Sequence, residues 1–357
     1  MSQSNGNVAK RVLKSCLWFG HYLSWVYGYL KLMAGCNALK DIKILSIEFC
    51  SICNLRCKYC FIEQKGRARF LDINIYEKLI KEVAGNPKYK IKIMEWPISG
   101  EFFVYRDYKR VIEITKKYMD ENPNFRPHVI LNENFMLFDE EKIDLILKSG
   151  VVKQLICSFD GHDAKSFEDM RPPAQFEQCL QNFRTFVKRN KELGNLVHIQ
   201  INNGRDENSI GQKFSEEMEE ILRAGDSVTQ WKPKFWNESF NGSKKVYKPA
   251  KGFCSFVFNN VTLSSSGEIS KCCMDLKGST VYADLSKYTL AEIWHSNARR
   301  QFLTLMFKNR RDLLKGCNTC AITFTNNDNR YTNKIRTIKR RLMSLIYGKK
   351  YYLKPLE

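Results

Sequence analysis

The sequence predicts an α/β protein: an open parallel barrel of the partial (β/α)6 kind, followed by a small domain built from a β-hairpin, a helix and cysteines. Three observations predict it. Apolar strand-like runs alternate with helix-like stretches from about residue 42 to 235, and such alternation argues for parallel βαβ units. The repeats number six, short of the eight that close a barrel. Beyond residue 250 the pattern changes to two short strand-like runs and widely spaced cysteines.

Taken in order, residues 1–40 open with Lys10, Arg11 and Lys14 and continue into an apolar run from Cys16 to Leu30. That run falls short of the roughly 20 residues a spanning helix needs. Trp18, Tyr22, Trp25 and Tyr29 recur at helical spacing, which suits a helix packed on the barrel or one lying on a membrane surface. The barrel is expected over 41–235. Its strands are Ile42–Phe49, Lys90–Trp96, His128–Leu131, Val152–Phe159, Val197–Asn202 and Ser227–Trp231. Its helices are Asn74–Val83, Tyr108–Met119, Glu140–Lys148, Phe176–Glu192 and Ser215–Leu222. The small domain is expected over 236–324. There Val257–Leu263 and Glu268–Lys271 flank Ser264-Ser265-Ser266-Gly267 and read as a hairpin. The tail, 325–357, carries nine Lys or Arg against Asp328 and Glu357. Ile335, Ile338, Leu342 and Leu345 give it the spacing of a basic amphipathic helix.

Composition bounds the chemistry. The 357 residues hold one large domain and a small one, and a hydrophobic content of 43% supports a real core. The chain is too long for a disulfide-stapled miniature, so its 13 cysteines in clustered spacings point to thiolate-bound metal in a reducing compartment. The net charge of +20 favours anionic partners without choosing among them. No P-loop and no dinucleotide fingerprint is present, and nothing argues for sequence-specific nucleic-acid binding.

The most informative stretch follows the first strand: Cys53-Asn54-Leu55-Arg56-Cys57-Lys58-Tyr59-Cys60. Four-iron clusters normally take four Cys ligands. Three thiolates on one short loop therefore imply a missing partner or an iron left open. A zinc knuckle is the plain alternative, but zinc prefers four ligands in paired spacings. The loop resembles the CxxxC-aromatic-C motif of the radical S-adenosylmethionine (SAM) enzymes. The resemblance implies that Cys53, Cys57 and Cys60 hold a 4Fe-4S cluster whose open iron binds SAM, with Tyr59 beside it. It extends to three further strand ends. Ser99-Gly100-Glu101 is similar to the family's GGE motif, near the SAM amino group. Asn132-Glu133-Asn134 stands where the family has a TNG turn, with Asn134 suited to the left-handed conformation usually taken by Gly. Ser158-Phe159-Asp160-Gly161 and Arg171 resemble the S-x-D-G and Arg segments, which implies that Ser158 and Arg171 hold the SAM carboxylate. Gln200 and Asn202 alternate on the fifth strand and are candidates to line the site.

The second constellation is Cys254, Gly267, Cys272 and the pair Cys317-Asn318-Thr319-Cys320. It resembles the SPASM/twitch extension of radical SAM enzymes in a short version, since no cysteine follows Cys320. The resemblance implies one auxiliary 4Fe-4S cluster on Cys254, Cys272, Cys317 and Cys320. Structural zinc on the same four is the alternative. Cys157 and Cys179 read as core residues. Cys273 stands where sulfatase-maturing relatives carry an Asp base, with Asp275 two positions on, so Cys273 and Asp275 are the catalytic candidates. Cys273 suits hydrogen donation to a substrate radical, or is a buried thiol.

The function expected is a radical SAM enzyme. One reading is an oxidoreductase, in which the auxiliary cluster takes an electron from a sugar-like, peptide or lipid-linked substrate, anionic ones included. A second is a redox-neutral epimerase using Cys273. A third is a non-catalytic cluster-bearing protein. The expected partner is an electron donor such as flavodoxin or ferredoxin. The expected location is the cytoplasm, with peripheral membrane contact through the terminal helices.

Overall fold

The computed structural model describes residues 30, 39–60, 68–231, 254, 256–273, 275, 280–308, 310–318 and 320. The expected N-terminal and C-terminal helices lie outside them, apart from Leu30. Among the described residues no helix is long and apolar enough to cross a membrane.

The strands are β1 Ile44–Ile47, β2 Ile93–Trp96, β3 His128–Glu133, β4 Val152–Ser158, β5 His198–Gly204 and β6 Ser227–Trp231. Each pairs in parallel with the next. Between them run α1 Ile73–Gly85, α2 Tyr108–Glu121, α3 Glu140–Ser149, α4 Ala164–Met170, α5 Phe176–Glu192 and α6 Glu216–Ala224. The sheet stays open, as a partial barrel does, because its order ends at β6 on one side and continues past β1 on the other. Local chemistry sets the helix ends. Asp72, Asp139 and Ser215 cap α1, α3 and α6 by accepting from backbone N–H groups of the first turn. Gly150 ends α3 at φ 68°.

The later part differs from expectation. Phe256–Asn259 is a short helix, α7, and only Asn260–Leu263 forms strand β7. The hairpin of β7 with β8, Glu268–Ser270, and then β9, Val281–Asp284, does not stand apart. Instead β7 pairs in parallel with β1 and extends the barrel sheet. Helices α8, Leu290–Trp294, and α9, Asn297–Phe307, follow, and then a short 3-10 turn, Arg311–Leu313. Leu290, Ile293 and Trp294 join the main core. A second small core gathers Cys254, Val257, Phe302, Leu303, Met306, Phe307, Leu314 and Cys317.

The two faces of the sheet differ in kind. Leu45, Met94, Trp96, Leu131, Leu155 and Ile201 are fully buried on the helix-covered face. The alternate positions point the other way. Ser46, Glu95, Ile130 and Gln154 are register partners across β1 to β4, and Ser158, Asn202 and Thr229 across β4 to β6. Most of these are polar and only partly buried. The carboxyl ends of the strands, where ligand sites of such sheets form, carry every barrel motif singled out above.

Candidate active site

The cysteine loop leaves β1 and is fixed by backbone bonds rather than by its own helix or strand. Arg56 N–H donates to Pro172 O at 2.5 Å, Lys58 N–H to Met170 O at 2.9 Å, and Glu101 N–H to Ile52 O at 3.0 Å. Gly100, at φ 78°, makes the last contact possible. A Cβ there would sit 2.2 Å from Cys50 O and 2.8 Å from Ile52 O, a clash that only glycine avoids. Its close approach is therefore to the cysteine loop itself. Cys53 and Cys57 are half-buried and Cys60 is exposed.

Two clusters of side chains flank the loop. On one side, Asp160 is the hub. Its Oδ2 accepts from Tyr59 Oη at 2.5 Å and from Arg171 Nε at 2.6 Å, and its Oδ1 accepts from Gly204 N–H at 2.5 Å. Arg171 also donates from Nη2 to Tyr59 Oη at 2.6 Å, and its Nη1 stands 3.8 Å from Cys57 Sγ. Both ions are almost fully buried, so each is stabilised chiefly by the other. Arg171, expected on the SAM carboxylate, thus has its fork on Asp160 and Tyr59. Trp231 closes this side, edge-on to Tyr59 at 5.0 Å.

On the other side stand two buried carboxyls. Glu101 accepts from Asn134 Nδ2, while its Oε1 has no partner among the described residues. Burial pushes its carboxyl up to about 7. Both oxygens of Glu133 are likewise buried with no N–H or hydroxyl donor among the described residues, and its carboxyl meets that of Glu101, with which it can share a proton. Burial first, then the facing Glu101, push Glu133 well above the usual carboxylate range. Asn134 Nδ2 also donates to Asn54 Oδ1 at 2.9 Å and lies 3.8 Å from Cys53 Sγ. Asn134 is not the left-handed residue of its turn. Its Oδ1 takes Met136 N–H at 2.9 Å, and the positive φ passes to Phe135, at 66°. The Phe135 ring is fully buried and stacks on Phe138 at 4.7 Å, packing that holds an otherwise unfavourable backbone.

The remaining expected residues are distributed around this centre. Asn132 donates to Trp96 O and Pro97 O, both at 3.2 Å, tying β3 to the turn before Gly100. Ser99 is half-buried, and Ser158 is half-buried in register with Asn202 on the open face. Cys157 and Cys179 are buried, as expected of core residues.

The second constellation also comes together. Burial pushes the Cys317 thiol up to about 12, with Lys271 and Arg311 pulling it down and Cys272 and Cys320 pushing it up. Cys254 shares the small core with Cys317. Lys271 Nζ knots the site: it donates to Asp275 Oδ2 at 2.6 Å, Thr280 Oγ1 at 3.0 Å and Lys315 O at 2.9 Å. Asp275, expected as a base, is buried in this salt bridge and also accepts from Thr280 N–H at 2.8 Å. Cys273 is half-buried. Its partner Cys272, burial and nearby Glu95 push its thiol well above the usual range.

Sequence reasoning placed Asp160 and Glu133 within motifs without giving either a role, and missed Glu95 and Lys271. The signal for each was a charged residue inside or at the end of an apolar strand, as in Ile93-Met94-Glu95-Trp96.

Comparisons with known proteins bear on the fold and on the two domains. The chain matches the family model of the radical SAM superfamily over residues 47–225, and that of SPASM, an iron-sulfur cluster-binding domain, over 254–321. Among solved structures it is similar to BtrN in complex with AdoMet and 2-DOIA (TM-score 0.52, 14% identity, 79% of this chain and 93% of that one). It is similar to Streptococcus suis SuiB bound to the precursor peptide SuiA (TM-score 0.52, 12% identity, 77% and 69%). It is also similar to anSMEcpe with AdoMet and the Cp18Cys peptide (TM-score 0.50, 13% identity, 85% and 98%). At these identities the likeness is one of fold. No curated protein sequence matches the chain.

The two domains imply a 4Fe-4S cluster, SAM and an auxiliary cluster, and the residues fit these groups. Burial raises the Cys53 and Cys57 thiols, and Cys60 raises both further. Such thiols become thiolates when a cationic metal supplies the charge. The orphaned oxygen of Glu101 suits an ammonium group. Among the described residues no three His, Cys, Asp or Glu gather tightly enough for a single ion, but a cubane spreads its thiolates over different irons. The chain belongs to the radical SAM superfamily and carries a C-terminal SPASM domain.

Proposed function

We propose that Cys53, Cys57 and Cys60 ligate the SAM-binding cluster and that the protein oxidises a substrate held in the open barrel. The observation that carries this reading is the convergence of three mutually interacting thiols at the carboxyl end of the sheet, with burial raising those of Cys53 and Cys57. When bound, the reduced cluster supplies the electron that splits SAM into methionine and a 5′-deoxyadenosyl radical, which removes hydrogen from an unactivated carbon. Glu101 offers its free oxygen to the SAM ammonium, and the turn at Ser99-Gly100 and Asn132 shapes that subsite. Ser158 lines the subsite from β4. Tyr59 and Arg171, locked on Asp160, hold the middle of the loop rigid, and Arg171 balances the charge beside Cys57. The barrel walls exclude water from the reacting carbon.

Cys254, Cys272, Cys317 and Cys320 ligate the auxiliary cluster in this reading. Four thiolates fill all four irons, so that site serves electron transfer rather than substrate ligation, which favours a two-electron oxidation. A second reading is suggested by Cys273, a half-buried thiol next to Cys272 that could donate hydrogen in an epimerase. Product mass separates the two, since only oxidation removes two hydrogens. Asp275 is assigned to positioning the auxiliary site through Lys271. SuiB and anSMEcpe were solved with peptides and BtrN with 2-DOIA, so a peptide and a small molecule are both carried forward as substrate classes. The positive balance of the chain suits an acidic electron carrier such as flavodoxin or ferredoxin.

The test uses full-length protein reconstituted anaerobically, with dithionite and SAM. Wild type and Cys317→Ala should both form 5′-deoxyadenosine, while Cys57→Ala should form none and should hold about four fewer irons. Deoxyadenosine from Cys57→Ala at the wild-type rate would overturn the assignment.

A further inference from the structure

Among the described residues of β1 to β7, the open face of the sheet holds one carboxylate, Glu95, and no Lys or Arg; Glu268 and Asp284 follow only on the outer strands β8 and β9. The other positions of that face on β1 to β7 are amides, hydroxyls, imidazoles and apolar side chains. The amides are linked in a chain: Gln154 Nε2 donates to Gln200 Oε1 at 2.8 Å, and Gln200 Nε2 to Asn202 Oδ1 at 2.9 Å.

Glu95 is the exception, and the surrounding groups are aimed at it. Thr262 Oγ1 donates to Asn260 Oδ1 at 2.8 Å, Asn260 Nδ2 donates to Ser46 Oγ at 2.7 Å, and Ser46 Oγ donates to Glu95 Oε2 at 2.7 Å. Three donors in series therefore end on one oxygen of Glu95, while Oε1 has no hydrogen bond among the described residues. The carboxyl is only part-buried and precedes the Ser99-Gly100-Glu101 turn by a few positions. It also lies within electrostatic reach of Cys273, which comes from the SPASM domain. Two domains thus meet at this point of the barrel.

We propose that Glu95 is the specificity-determining anchor for the substrate, its Oε1 receiving a hydroxyl or ammonium group, so that the barrel takes neutral or cationic substrates and rejects anionic ones. This rests on the reading of the barrel as the site of SAM-dependent chemistry. It runs against the anionic substrate that the chain's net charge of +20 invites, because no Lys or Arg among the described residues of β1 to β7 stands on the open face. A hydroxyl finds further amide partners there, and an ammonium finds the only carboxylate of these rows. An anion would meet Glu95 with no cation to offset it, an arrangement that costs binding strongly.

The experiment is calorimetric titration of reconstituted full-length protein with SAM present. The probes are two matched pairs: glucosamine against glucose 6-phosphate, and Gly-Lys-Gly amide against Gly-Glu-Gly amide. In at least one pair the amine probe should bind at least about tenfold more tightly than the anion, and the pair that responds separates a sugar-like source from a peptide. Glu95→Gln, which keeps an acceptor for Ser46, should abolish that preference, and Glu95→Asp should keep its sign. Anions binding as tightly as amines, an unchanged preference in Glu95→Gln, or no binding of any probe overturns the proposal. Deoxyadenosine formation by the same wild-type preparation is measured alongside. Its absence counts against the radical chemistry; its presence without a charge preference counts against Glu95 alone.

Discussion

One face of the central sheet is apolar and sealed by helices; the other is polar and left partly open. Both are written in the same strands, one residue out of phase. Leu131 and Asn132, or Ile201 and Asn202, are chain neighbours that face opposite sides. The covered face is where apolar area is removed from water, the main favourable term in folding. The open face adds little to stability, and at the strand ends it costs some. Carboxyls packed there keep protons that water would remove, and thiols packed there ionise less readily than in water. What these groups offer instead is chemistry, once cations and substrate arrive.

The contrast can be broken at three places. The largest effect is expected on the covered face. Trp96 is fully buried, stacked on Phe102 at 5.9 Å and edge-on to Phe49 at 5.8 Å. Trp96→Ala should cost about 3–5 kcal/mol in denaturant unfolding. A loss below about 1 kcal/mol would mean that this face does not carry the fold. The next largest concerns the strand-end site in cluster-free protein. Folded Glu101 holds its proton to about 7, against 4.5 for an ordinary Glu. The folded state therefore binds more protons than the unfolded chain inside that window. Stability should fall as pH rises from about 4.5 to about 7, by about 3 kcal/mol from this group, and level off above. Glu101→Gln should flatten that slope; an unchanged slope would assign it elsewhere. The smallest effect is expected on the open face. Gln200→Ala removes the links to Gln154, Asn202 and Thr229, yet should change stability by no more than about 1 kcal/mol. A loss as large as that at Trp96 would dissolve the distinction between the faces.

Much of this organisation was legible beforehand, for reasons visible in particular residues. The run Val152–Phe159 and the Gln154/Ile156/Ser158 alternation within it announce a strand, and β4 spans Val152–Ser158. The α4 helix, Ala164–Met170, escaped notice because its 7 residues are too few to show a period. Its visible mark is the capping box of Asp163 and Ser166. Asp160 escaped because a strand-end Asp beside Gly looks like turn chemistry. Only the arrival of Arg171, Tyr59 and Gly204 from three other segments makes it the hub of a buried ion pair. The left-handed residue was misplaced by one, since Asn is the better local choice and the aromatic core overrides it at Phe135.

The cysteine spacings and the alternation of apolar runs were enough, on their own, to establish the parallel α/β barrel, the three-thiol loop and the second cysteine group. Those features are local: a period, a spacing, a turn residue. Pairing was decided by the folded chain. That β7 adds to β1, that Arg171 reaches Tyr59, that Lys271 reaches Lys315 O, and that Ser46, Asn260 and Thr262 line up on Glu95 are all contacts between residues far apart in sequence. No local preference encodes them; they follow from which strands lie side by side and which charges are buried together.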